Sequence, residues 1–412
     1  MLELQPAQGR PRFRQHKFGL ALAGGGPLGA FYEVGTLHAI GESIDGLRLT
    51  DLDMYCGVSS GAMIAAGLAN GFDTADMGVV FIHNASLDYP VTPGLFLRPA
   101  LREYLKRIAA IPGLLGHVLV EYLRDPGKDW AEAIDPLGRL LPTGLCDNRP
   151  FEQFLAHLFS TGGRSNDFRR LRRQLFIVAT ELNTGSGVRF GEPGFDHVPI
   201  SRAIQASTAL PGLYPPVEIE GHTYADGALL RTMNASLLLD AGAELVICVN
   251  PLVAFDASGA PRRRREQASK PRELTRGGLP MVLSQTFRAM IQSRMKVGMR
   301  NYVQDYPHTD ILLFEPDRSD EEMFFQNVFR YADRKRLAEH AYQRTRRDLM
   351  QQADALSPIL HRHGLGLRLD VLRDTRRTFV DSVRERRRRQ QPVTGPLHKA
   401  LDRLETALAA RA

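Results

Sequence analysis

Apolar and polar positions along the chain fall into two periods that alternate. Phe18 to Ala23 is a short unbroken apolar run closed by Gly24-Gly25-Gly26, the pattern of a buried strand. From Pro27 to Glu42 apolar side chains recur at helical spacing, at Leu28, Phe31, Val34, Leu37 and Ile40, with proline in the first turn where its missing N–H costs nothing. The pair then repeats: Leu52 to Cys56 predicts a strand, Ser60 to Asn70 a helix and Thr74 to His83 another. Farther on, the pattern predicts a helix over Asn148 to Phe159, a core strand over Gln174 to Leu182 with Val188-Arg189-Phe190 as its hairpin partner, and a helix over Pro199 to Ala209. Glu218 to Ala225 predicts a short hairpin that delivers Asp226-Gly227-Ala228 at its end, and Glu244 to Asn250 and Asp310 to Phe314 complete the apolar strands. Strands alternating with helices give an α/β class with a mainly parallel sheet of at least five strands.

Other stretches break this rhythm. Between residues 88 and 146 seven prolines divide short helical pieces, and Leu97 to Leu123 is rich in Leu, Ile and Val; the segment is either a lid over the functional face or a helical hairpin packed on the core. Asp256 to Gly278 carries Arg262-Arg263-Arg264-Arg265 among Ser, Gly and Pro, and reads as an exposed loop leading into a helix from Leu279 to Val303. Beyond Glu321 the chain is helical and basic, with Arg386-Arg387-Arg388-Arg389 and a last helix from Pro396 to Ala410. The expected organisation is an N-terminal extension over residues 1–17, one large domain over 18–320 and a helical basic region over 321–412.

Composition narrows the classes. Three cysteines, Cys56, Cys146 and Cys248, lack any C-x-x-C or Cys/His spacing, which argues against a disulfide framework or structural zinc and for a reducing compartment. The apolar run at Phe18 is too short for a signal-peptide core or a membrane span, so a cytoplasmic protein is expected. The net charge of +7 comes from arginine clusters rather than an even excess. Such runs suit peripheral contact with an anionic membrane surface, and nucleic acid is the less favoured acidic partner; a plain solvated helix or tail is the simplest account of them.

Candidate chemistry centres on Gly57-Val58-Ser59-Ser60-Gly61, a G-x-S-x-G pentapeptide between a strand and a helix pattern. A serine on that sharp turn presents its hydroxyl outward, with glycines where a side chain would collide, so Ser59 is the candidate nucleophile and Ser60 the first helical residue. A serine hydroxyl needs a base and a set of fixed donors for the oxyanion it creates. Gly24, Gly25 and Gly26 open a helix with unhindered amides aimed where the dipole favours negative charge. The loop through Gly29 also fits G-x-G-x-x-G, the dinucleotide fingerprint, yet the second strand ends in Gly57-Val58-Ser59 where that fold wants an acidic residue. For the base, His308, His340, His361 and His363 lie downstream as in a histidine-dependent α/β-hydrolase, while Asp226 ends a short strand ahead of Gly227. A non-catalytic nucleotide- or lipid-binding module remains the other alternative.

The joint order of Gly24-Gly25-Gly26-Pro27-Leu28-Gly29, Gly57-Val58-Ser59-Ser60-Gly61 and Asp226-Gly227-Ala228 resembles the patatin-like phospholipase family, over about Phe18 to Asn250. Ala206-Ser207-Thr208-Ala209-Leu210-Pro211 and Tyr214-Pro215-Pro216-Val217 are similar to that family's linking segment. The resemblance implies a three-layer α/β/α fold and a lipid acyl hydrolase of the phospholipase A or carboxylesterase type, needing no metal and no cofactor. It also implies that Ser59 is the nucleophile, Asp226 its base, and Gly24 to Gly26 the oxyanion donors, with Gly29, Gly57, Ser60, Gly61, Gly227 and Ala228 supporting the motifs. The family usually carries Arg or Lys where this chain has Leu28, and leucine offers no cation to an anionic head group.

Overall fold

The apolar runs become the middle of a sheet. The computed structural model describes residues 1–8, 17–86, 89–124, 142–230, 232–253, 278–318, 320 and 331–390. Its strands are β1 (Leu2–Gln5), β2 (Phe18–Leu22), β3 (Ile44–Asp45), β4 (Met54–Val58), β5 (Gln174–Glu181), β6 (Ser186–Phe190), β7 (Val217–Ile219), β8 (His222–Asp226), β9 (Leu245–Val249), β10 (Asp310–Phe314) and β11 (Gly366–Leu367). Nine of them form one sheet in the order β1-β10-β9-β2-β4-β5-β8-β7, with β6 also on β5, while β3 pairs β11 apart from it. The five central strands from β10 to β5 are parallel, and β1, β6, β7 and β8 add antiparallel edges.

The central strands are apolar throughout because both faces are covered. Leu20, Leu22, Tyr55, Ile177 and Ile247 point into one core cluster, and their neighbours Ala21, Cys56, Phe176, Val178 and Cys248 into a second on the opposite face. On the first face lie α1 (Gly26–Ser43), α2 (Ser60–Ala69) and α3 (Thr74–Met77), which widens into a π-helical turn over Gly78–His83. After α4 (Leu101–Arg124), α5 (Arg149–Phe159) and α6 (Ile200–Ser207), the second face is covered by α7 (Ser236–Asp240) and α8 (Gly278–Asp305). The result is three layers, α/β/α, with a mainly parallel sheet.

One element departs from expectation. Leu2–Gln5, counted above in an N-terminal extension, is an antiparallel edge strand on β10, with Leu2 buried opposite Phe314. The expected helical C-terminal region is present after Tyr331, and its helices α9 (Arg334–Gln351), α10 (Ala353–Arg362), α11 (Leu369–Arg373) and α12 (Phe379–Gln390) share the first core cluster. Leu337, Ala338, Ala341, Tyr342 and Leu349 of α9 are fully enclosed against α1. Arg377 and Arg386 form ion pairs with Glu42 and Asp73 at 2.9 and 2.8 Å, so part of the basic C-terminal stretch is tied to the main body. The Arg262–Arg265 run and the expected helix from Pro396 to Ala410 lie outside the described residues. Among the described residues, no helix is long and apolar enough to cross a membrane.

Candidate active site

The pairing of β5 brings two distant motifs together. The first five residues of this eight-residue strand pair in parallel with β4, ending at Val58 opposite Val178. The last three pair antiparallel with β8, beginning with Asp226 opposite Ala179. With β6 on the other edge of β5 over Ile177 to Glu181, β4 and β8 must lie end to end along one edge. Ser59 follows the last residue of one and Asp226 is the last residue of the other. A separation of 167 positions along the chain thus closes to a hydrogen bond, in which Ser59 Oγ donates to Asp226 Oδ2 at 2.7 Å.

Ser59 sits in a backbone state that side chains rarely adopt, φ 52° and ψ −122°, at a cost of roughly 1–3 kcal/mol that the surroundings must offset. Close packing imposes the turn: a Cβ on Gly61 would lie 2.6 Å from the Ala23 carbonyl oxygen, and one on Gly24 would lie 2.9 Å from Ser59 Cβ. A further clamp comes from Ser207 at the end of α6. Its hydroxyl accepts from the Ser59 N–H at 2.8 Å and donates to the Val178 carbonyl at 2.6 Å. Ser207 lay inside a segment singled out above, with no role assigned to it.

Asp226 is buried and held from three sides. Oδ1 accepts from the Ala228 N–H at 2.8 Å, the backbone carbonyl accepts from Thr180 Oγ1 at 3.0 Å, and its N–H donates to the Ala209 carbonyl at 3.0 Å. Burial pushes its carboxyl up to about 6, against the lowering effect of the Ala228 amide and the Ser59 hydroxyl. The group therefore stays ionised at neutral pH but is a stronger base than a surface aspartate.

The glycine loop abuts the same hydroxyl and narrows the set of available donors. The Gly24 N–H already donates to the Thr232 carbonyl at 3.3 Å, and an amide has one hydrogen. Among the described residues the amides of Gly25, Gly26 and Ser60 meet no acceptor. They open α1 and α2, whose first turns touch where Gly29 approaches Ser60 Oγ, so the positive ends of two helix dipoles converge beside Ser59. Leu28 is buried in the core.

The histidines lie elsewhere. His363 Nε2 donates to Asp310 Oδ2 at 2.8 Å, at the start of β10, and His308 lies two residues before that strand, both at the opposite ends of the parallel strands from Ser59. His340 bonds Asp320 at 2.6 Å and His361 is exposed on α10. Among the described residues no group of His, Cys, Asp and Glu side chains is arranged to hold a metal ion.

A serine at a strand-to-helix turn, backed by an aspartate rather than a histidine within an α/β/α fold, sets the class. Residues 20–239, just over half the chain, match the family model described as patatin-like phospholipase, and the protein belongs to that family. It is also 36% identical over 73 residues to proteins described as uncharacterized NTE family members from Mycobacterium bovis and Mycobacterium tuberculosis, a match spanning 18% of this chain and 19% of theirs. Among solved structures it is similar to VipD from Legionella pneumophila, at 16% identity and a TM-score of 0.36, covering 82% of this chain and 70% of that one. It is similar too to human GIVD cytosolic phospholipase A2 in complex with methyl gamma-linolenyl fluorophosphonate, at 11% identity and a TM-score of 0.32, covering 84% of this chain and 59% of that one. Overlaps this loose transfer no residue roles.

Proposed function

We propose that the chain is a lipid acyl hydrolase that cleaves carboxylic esters through an acyl-Ser59 intermediate, with Asp226 as base. The observation that carries this reading is the 2.7 Å hydrogen bond from the Ser59 hydroxyl to a buried carboxylate, beside the amides of Gly25, Gly26 and Ser60, which meet no acceptor among the described residues. As Oγ forms its bond to the ester carbonyl carbon, its proton passes to Asp226 Oδ2, and the carbonyl π electrons move onto oxygen. The amides and helix termini receive that negative charge; one such donor is typically worth about 100 to 1,000-fold in rate. When the tetrahedral species collapses, the ester C–O bond breaks and the departing alcohol takes the proton from Asp226. Water then attacks the acyl-enzyme with Asp226 again as base, and the acid leaves as Ser59 regains its proton.

An aspartate is a weak base for a hydroxyl, so its environment matters. Each unit by which burial raises its pKa lowers the cost of the proton transfer by up to about 1.4 kcal/mol. The fold supplies the rest by holding donor, acceptor and oxyanion site in place before substrate arrives.

A labelled fluorophosphonate tests the proposal: it should modify Ser59 alone, as read by peptide mass spectrometry, and Asp226→Asn should slow the labelling sharply. Absence of an adduct on folded protein would favour a binding module instead. A panel of phospholipids and neutral glycerides then assigns the substrate, because Leu28 leaves the glycine loop without a cation.

A further inference from the structure

Helix α4 carries an apolar stripe on its outer side. Leu101, Leu105 and Ile108 are 64, 65 and 60% exposed. Their spacing of four and three places them on one face. Leu145, 55% exposed, adjoins the foot of the helix, where its carbonyl accepts from the Ala100 N–H and the Tyr104 hydroxyl. Single exposed leucines are ordinary, but four neighbouring large aliphatic side chains mark a contact surface.

The polar groups around the stripe indicate the occupant. Arg98 and Lys106 are exposed beside it, whereas the nearby carboxylate of Glu103 is taken up by Arg107 at 2.9 Å and by the Thr143 hydroxyl at 3.2 Å. Leucines flanked by exposed cations suit an interface of acyl chains and anionic head groups.

The helix is also joined to the serine turn. Leu145 and Cys146 donate backbone hydrogen bonds to the carbonyls of Gly212 and Leu213, and the Tyr214 hydroxyl donates to the Phe96 carbonyl. That 212–214 segment follows the end of α6, where Ser207 bonds the Ser59 amide, and Ala209, whose carbonyl accepts from the Asp226 N–H. We propose that the Leu101–Leu105–Ile108 face, with Leu145, docks on an anionic lipid surface and so sets the site against its ester substrate. This rests on the acyl-hydrolase reading.

The test separates docking from chemistry. Full-length Ser59→Ala protein, with and without Leu101→Gln, Leu105→Gln and Ile108→Gln together, is sedimented with vesicles of mixed phosphatidylcholine and phosphatidylserine; glutamine keeps helix propensity, and circular dichroism checks the fold. The triple change should lower vesicle partition by roughly tenfold or more. In the Ser59 background it should slow hydrolysis of a vesicle-borne ester similarly while leaving a soluble short ester unaffected. Equal partition of both proteins overturns the proposal. So does a dimer in solution that the triple change dissolves, because the face then belongs to a second copy. If the soluble ester is never hydrolysed, the acyl-hydrolase reading fails, whatever the vesicles show.

Discussion

Ser59 Oγ donates a hydrogen bond to Asp226 Oδ2 at 2.7 Å, the contact across which the proposed mechanism moves the hydroxyl proton. Removing either partner should lower turnover of a soluble p-nitrophenyl ester by about a thousandfold or more, since a nucleophile and its base act as a unit. Ser59→Ala and Asp226→Asn should both remain folded. Their double variant should be scarcely worse than either single one. Additive losses would mean that the two groups act independently.

The raised carboxyl of Asp226 makes activity and stability respond oppositely to pH. As a base it must be ionised, so kcat/KM should rise with pH through a midpoint near about 6 and then level off. For stability the sign reverses. The folded chain keeps a proton that the unfolded chain, with an aspartate near about 3.9, has already released. The contribution is therefore full below about pH 4, is lost as pH rises towards about 6 and changes no further above it, amounting to roughly 2–3 kcal/mol. Asp226→Asn should flatten that part of the stability profile, as read by urea midpoints across the range. A midpoint of activity near 4 would contradict the buried-base account.

Ser207 touches neither reacting atom and is expected to act through the backbone of Ser59. Its hydroxyl joins the Ser59 amide to the Val178 carbonyl, so Ser207→Ala leaves two buried backbone groups without a partner at the strained turn. The loss should appear in kcat, by roughly tenfold to a hundredfold, with KM unchanged, and in a slower rate of fluorophosphonate labelling. A fall in thermal stability with kcat intact would assign it a purely structural role.

Gly24→Ala is a sharper probe of the loop. The added methyl would lie 2.9 Å from Ser59 Cβ, closer than such carbons approach, so either the loop or the serine must shift. Activity should fall at least tenfold, with a modest change in melting temperature. A fully active variant would show that the loop can move away without cost.

How much of this was legible in the chain depends on how local each constraint is. Ser59, Gly57 and Gly61 announce themselves because a strand-to-helix turn excludes side chains within five consecutive residues. The central strands were legible because burial on both faces leaves an unbroken apolar run, as in Leu245–Val249. The hydrogen bond from the Gly24 amide to the Thr232 carbonyl is not legible, because its partner lies over two hundred residues away. β1 escaped because four residues, LELQ, carry too little pattern, and its partner Asp310–Phe314 is at the far end of the sequence. For α9 a signal did exist. Leu337, Ala338, Ala341, Tyr342, Thr345 and Leu349 make a narrow buried stripe, but the surrounding arginines and glutamates dominate its composition.

That stripe supports the last expectation, that the helices after Tyr331 cannot be removed. α9 packs along α1, and α1 begins at the glycine loop, so the amides proposed as donors open a helix that the C-terminal helices cover. Leu337, Tyr342, Leu349, Leu356, Leu360 and Phe379 are almost wholly buried. At roughly 1.5–3 kcal/mol each, losing their burial would exceed much of a stability that is typically about 5–15 kcal/mol. Deletion would also strip the buried Glu42 carboxylate of Arg377 and of its bonds from Tyr342 and Ser382. A chain ending at residue 320 should therefore be insoluble or lack a cooperative thermal transition, and should not react with a fluorophosphonate. A soluble 1–320 fragment that melts at the temperature of the full chain and labels at Ser59 would show the C-terminal helices to be an appendage.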